Sequence, residues 1–92
     1  MSKTILTVDD SASIRQMVRL TLSAAGSQVV EAGNGAEGLA KATAAPVNMI
    51  VTDLNMPVMD GLTFIREVRK LPAYRGVPIL FLTTESDGAV KQ

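Results

Sequence analysis

The sequence predicts an α/β fold, a three-layer sandwich with a parallel sheet between helices, and three observations carry that prediction. The apolar, partly β-branched run at residues 49–52 has the character of a strand covered on both faces, 79–82 is a second uninterrupted apolar run, and 5–8 is a short strand. Between the strands, apolar residues recur at helical spacing and the connections are short, as parallel strands joined by right-handed crossovers require. The composition is 47% hydrophobic with two Phe, one Tyr and no Trp, so the core must be aliphatic. Ninety-two residues make one domain spanning 1–92, in which roughly 60 to 70% of the unfolded surface is buried.

In chain order, the strand at 5–8 ends in Asp9-Asp10, and Ile14, Met17, Val18, Thr21, Leu22 and Ala25 then trace the inner face of a helix capped by Asp10 or Ser11. Gly26 follows the last periodic residue, where a left-handed C-terminal cap belongs. A second strand runs over 28–32. Asn34 can cap a short helix at 35–43, whose apolar face is the weak set Ala36, Leu39 and Ala40 with Gly38 inside it. A third strand at 48–52 leads to Asp53. Pro57 and Gly61 break the chain, Asp60 caps a helix that carries Phe64, Ile65, Val68 and Leu71 inward, and Pro72 ends it. The strand at 79–82 closes in Thr83-Thr84-Glu85-Ser86, which opens a fourth helix. Met17, Met49, Met56 and Met59 are packing or loop cover, not a cofactor box.

Charge and composition exclude several functions. Nine basic residues balance nine acidic ones, leaving no positive excess for nucleic acid or an anionic membrane. With no cysteine and no histidine, there is no disulfide, no thiolate or imidazole zinc site and no histidine-based triad, so the chemistry falls to oxygen ligands. The N-terminus meets Asp9 before a secretory hydrophobic region can form, and no run approaches the ~18 apolar residues of a membrane span. A soluble, cytoplasmic protein is expected.

In an open parallel sheet, ligands bind outside the carboxyl ends of the strands. Those ends carry Asp9, Asp10, Asp53 and Thr83. By analogy with flavodoxin-like sheets of order 2-1-3-4-5, the first and third strands are neighbours and the fourth lies beside the third. Three carboxylates then share one rim, where mutual repulsion calls for a cation. Magnesium suits such a set, since it uses one or two carboxylates, keeps several waters and completes its shell with phosphate oxygen. Asp10 and Asp53 are expected to ligate directly, Asp9 through water and Asn55 through its backbone carbonyl. Asp53 keeps an oxygen with which to attack phosphorus, and Thr83 offers a hydroxyl to the phosphoryl group.

Val8-Asp9-Asp10, the stretch Thr52-Asp53-Leu54-Asn55-Met56-Pro57-Val58-Met59-Asp60-Gly61, and Leu82-Thr83-Thr84-Glu85 resemble, in this order and spacing, a response-regulator receiver domain of the CheY-like chemotaxis type. The resemblance covers the whole chain. It implies Asp53 as phosphoacceptor in two-component signal transduction, Asp9 and Asp10 as the acidic pair holding magnesium, Thr83 as the switch hydroxyl, a histidine kinase as phosphate source and a downstream target as output. Enzyme activity beyond slow loss of its own phosphate is not expected. Family members continue through a fifth strand that ends in a lysine, and a fifth helix. Lys3, Lys41, Lys70 and Lys91 do not match that lysine, so the chain is expected to lack the fifth strand and helix and to take phosphate poorly. The strand at 79–82 then becomes an apolar sheet edge, and a homodimer covering it, by edge pairing or helix exchange, is expected.

Two other readings compete. Gly33-Asn34-Gly35-Ala36-Glu37-Gly38 is a formal GxGxxG after a strand, with Asp53 about 20 residues further on, as a dinucleotide site requires. A receiver scaffold can also serve as a binding module that needs no phosphorylation, and the missing lysine favours that alternative.

Overall fold

The computed structural model describes residues 3–53 and 59–81. Along them run β1 (Thr4–Val8), α1 (Ala12–Ala24), β2 (Gln28–Ala32), α2 (Gly35–Ala44), β3 (Met49–Thr52), α3 (Gly61–Arg69) and β4 (Ile79–Phe81), with a 3-10 turn at Pro72–Tyr74. The pairings are parallel and the strand order is β2-β1-β3-β4, the first four places of the order expected by analogy. The architecture is the flavodoxin-like, CheY-like one, with no fifth strand among the described residues. The expected helix beginning near Ser86 lies outside them.

Register decides what each face buries. Leu6 pairs with Val30 and Ile50, and Val8 with Ala32 and Thr52, so these side chains share one face. There Leu6, Val8, Ala32 and Ile50 join Ala42 of α2, Phe64 and Val68 of α3, Val47 and Tyr74 in one core. Burying a side chain of the Phe64 or Val68 class contributes about 1.5–3 kcal/mol. α1 lies over the opposite face, where Ile14, Val18 and Leu22 line a groove with Met49, Val51 and Leu80.

Polar chemistry at the element ends sets most boundaries. Ser11, not Asp10, caps α1, its hydroxyl accepting from the Ile14 N–H at 3.3 Å. Gly26 has a φ of 93°, and the Gly26 and Ser27 N–H groups donate to the Ser23 and Leu22 carbonyls, closing the helix in the left-handed cap the sequence signalled. Asn34 Oδ1 accepts from Glu37 N–H and Asp60 Oδ1 from Thr63 N–H, each at 2.8 Å.

Three expectations are corrected. The buried face of α2 is Gly35, Gly38 and Ala42, while Ala36 and Ala40 are exposed, because this helix approaches its neighbours too closely for side chains. A Cβ at Gly38 would stand 2.9 Å from Val8 Cγ2 and 3.0 Å from Phe64 Cε1. The expected inner face of α1 is only partly covered, since α1 buries no residue fully, Met17 lines the groove yet is 56% exposed, and Thr21 and Ala25 are exposed. α3 ends at Arg69, before Leu71. Pro72 starts the 3-10 turn that delivers Tyr74 into the core, where its hydroxyl donates to the Ala42 and Ala45 carbonyls and accepts from Val47 N–H.

Candidate functional site

The site is built where β1 and β3 end side by side. Asp9 N–H donates to Ala32 O at 3.1 Å and Asp53 N–H to Val8 O at 2.9 Å, so the ladder continues one residue past each strand and holds both aspartates at the rim. Thr52 Oγ1 donates to the Asp53 carbonyl at 3.0 Å. Asp9 and Asp53 are buried, while Asp10 is exposed.

Asp9, Asp10 and Asp53 each offer a carboxylate oxygen, and these oxygens lie within 4.8 Å of one another. The Asp9 carboxyl is pushed above its ordinary value by burial, drawn back by the Ser11 N–H, and raised further by the charges of Asp53 and Asp10. Its Oδ1 accepts from Ser11 N–H at 2.9 Å, and its Oδ2 is buried with no hydrogen-bond partner. A buried carboxylate oxygen in that state carries a desolvation cost that a cation would offset. An all-oxygen donor set of three acids fits a hard divalent ion. The structure thus brings together three of the residues singled out in the sequence, and Asn55 and Thr83 lie outside the described residues.

Sequence reasoning missed Arg15, whose Nη1 donates to the Asp9 carbonyl at 2.5 Å and whose Nε pairs with Glu31 Oε1 at 3.2 Å. The available signal was an arginine one helical turn inside the cap, beside a strand carrying a lone glutamate.

The GxGxxG stretch is spent on packing. Gly33 N–H donates to Glu37 Oε1 at 2.8 Å, and a Cβ at Gly35 would meet the Met59 carbonyl oxygen at 2.6 Å and Met59 Cβ at 2.8 Å. The space where a dinucleotide's pyrophosphate would approach the backbone is filled by Met59. These glycines let α2 sit against the loop leading into α3.

Solved structures and curated sequences agree with this geometry. CheY4 of Vibrio cholerae, a chemotaxis response regulator, is 49% identical with a TM-score of 0.90 over all of this chain and 77% of that one. The chemotaxis protein CheY1 of Helicobacter pylori is 39% identical over 87 residues, covering 92% of this chain and 70% of its own length. The receiver domain of the sensor histidine kinase PA1611 from Pseudomonas aeruginosa is 27% identical with a TM-score of 0.88 over all of this chain and 76% of that one. It holds a magnesium ion coordinated in its active-site cleft. The family model of the response regulator receiver domain matches residues 5–92, and with the acids gathered at one rim the chain belongs to that family, a CheY-like receiver of the kind that accepts a phosphoryl group in two-component signalling.

Proposed function

We propose that Asp53 is the phosphoacceptor, and the observation that carries this is its place at the end of β3, buried beside Asp9 and Asp10 with carboxylate oxygens of all three within 4.8 Å. An Asp53 oxygen attacks the phosphorus of a phosphohistidine on a partner kinase. The new O–P bond forms as the N–P bond breaks, and the electron pair of that bond returns to the imidazole nitrogen. Asp10, Asp53 and the Asn55 backbone carbonyl would hold magnesium directly, and Asp9 would hold it through water. When bound, the ion neutralises the clustered carboxylates and the charge on the transferring oxygens. Thr83 supplies the switch hydroxyl toward the phosphoryl group, which changes the surface offered to a downstream target.

In this reading the protein is cytoplasmic and no enzyme beyond slow loss of its own phosphate. No helix among the described residues is long and apolar enough to cross a membrane. Its partners are a histidine kinase, an output protein and a second copy of the chain, which covers β4 by edge pairing or helix exchange.

Prolonged incubation with acetyl phosphate and magnesium, followed by intact-mass measurement, tests the assignment. The chain should gain one phosphoryl group and Asp53→Asn none. A label that persists in Asp53→Asn, or maps to another residue, overturns it.

A further inference from the structure

Asp9 is tied at every polar atom but one. Its N–H donates to Ala32, its carbonyl accepts from Arg15 Nη1, its Oδ1 accepts from Ser11 N–H, and only the buried Oδ2 is left. Two of those ties are to main chain and one is to a side chain. That side chain is braced in turn: Arg15 Nε lies 3.2 Å from Glu31 Oε1 on β2, Arg19 Nε lies 3.7 Å from Glu31 Oε2, and Lys41 Nζ donates to the Glu31 carbonyl at 2.6 Å. Residues of α1 and α2 thus converge on Glu31 of β2, and Arg15 alone among these cations reaches on to Asp9.

The carbonyl Arg15 holds belongs to the peptide joining Asp9 to Asp10. That peptide is planar and turns as a unit, so rotating its carbonyl also swings the Cα from which the Asp10 side chain departs. We propose that Arg15 is a positioning residue for the acid cluster, fixing the Asp9–Asp10 peptide so that both carboxylates meet a shared divalent cation together with Asp53. The proposal rests on the reading of this cluster as a magnesium site. A guanidinium can satisfy Glu31 and the Asp9 carbonyl at once because its donors point in fixed, divergent directions. A lysine ammonium carries the same charge without that fork. Arg15→Lys therefore separates geometry from charge, and Arg19→Ala removes a Glu31 partner without touching Asp9.

Magnesium titration by calorimetry on the wild type, Arg15→Ala, Arg15→Lys and Arg19→Ala, paired with thermal unfolding in chelator, tests it. Magnesium affinity should fall roughly tenfold in both Arg15 variants, as when partners of metal ligands are removed. Arg19→Ala should keep wild-type affinity while sharing some loss of metal-free stability. Wild-type affinity in the Arg15 variants overturns the proposal, as does an equal affinity loss in Arg19→Ala, which would mark a purely structural network. If Arg15→Ala loses its cooperative melt, Arg15→Lys decides by the same criterion. A wild type that takes up no magnesium overturns the underlying site reading itself, an outcome seen before any variant is compared.

Discussion

At the scale of single residues, Asp9 is where the fold and the chemistry oppose each other. Its carboxyl is raised from the ordinary 3.8 by burial, against the pull of the Ser11 N–H, and raised further by Asp53 and Asp10. The folded chain therefore keeps this proton to higher pH than the unfolded chain does. The stability it contributes is fully present below about pH 3.8 and is lost as pH rises through the folded-state value. Above that window the ionised group is a net cost in the absence of metal. Asp9→Asn removes the cost and keeps an acceptor for Ser11. In chelator at pH 7 its melting temperature is expected to lie above wild type, with the two converging as pH falls through the folded-state value. Wild-type stability of Asp9→Asn at pH 7 would show that the three acids impose no strain on the metal-free protein. The three acids were legible in the sequence because each follows an apolar run at a strand end. The Arg15 tie was not, since it depends on a helix crossing that spacing along one chain does not specify.

Among the elements, α2 shows how a rule of propensity is overridden by contact. In an exposed helix interior, replacing glycine by alanine gains about 0.8–1 kcal/mol. At Gly38 the added Cβ would press on Val8 and Phe64, each fully buried and hemmed in by the core. Overpacking of this kind typically costs about 1–3 kcal/mol, so Gly38→Ala is expected to lower the denaturant midpoint. A raised midpoint would show that α2 can slide outward at little cost. This explains why the sequence exposed the ends of α2 but not its face. Asn34 is a local capping signal, whereas a face made of glycines has no hydrophobic period to detect. Tyr74 escaped for a related reason, because the 3-10 turn that inserts it follows a proline whose obvious meaning was only that a helix stops. Its hydroxyl engages three main-chain groups around the start of β3, and leaving such groups unpaired costs about 1–3 kcal/mol.

For the whole molecule, the strand order places β4 at the edge of the described sheet, with Leu80 50% and Phe81 44% exposed. Among the described residues no strand pairs with the outer side of β4, and exposed apolar side chains at such an edge favour association. Sedimentation at micromolar concentration is expected to show a dimer, and Phe81→Lys to shift it to monomer. A wild-type monomer with a cooperative melt would refute the assembly. The order of the strands also has a kinetic consequence. β1 comes first among the described strands in chain order yet lies second in the sheet, and its partners follow only after intervening helices, as the Thr4 bond to Asn48, 44 residues away, illustrates. None of the described strand pairs is a local hairpin, so loop closure precedes each pairing, and the rate-limiting ensemble is expected to gather β1, β2 and β3. Stopped-flow refolding of Leu6→Ala should accordingly show its loss of stability mainly as slower folding. Leu80→Ala should show its loss as faster unfolding, as expected of an edge strand that joins after the barrier is crossed. If both acted on the same limb, β1 would not be the strand on which the rest of the sheet condenses.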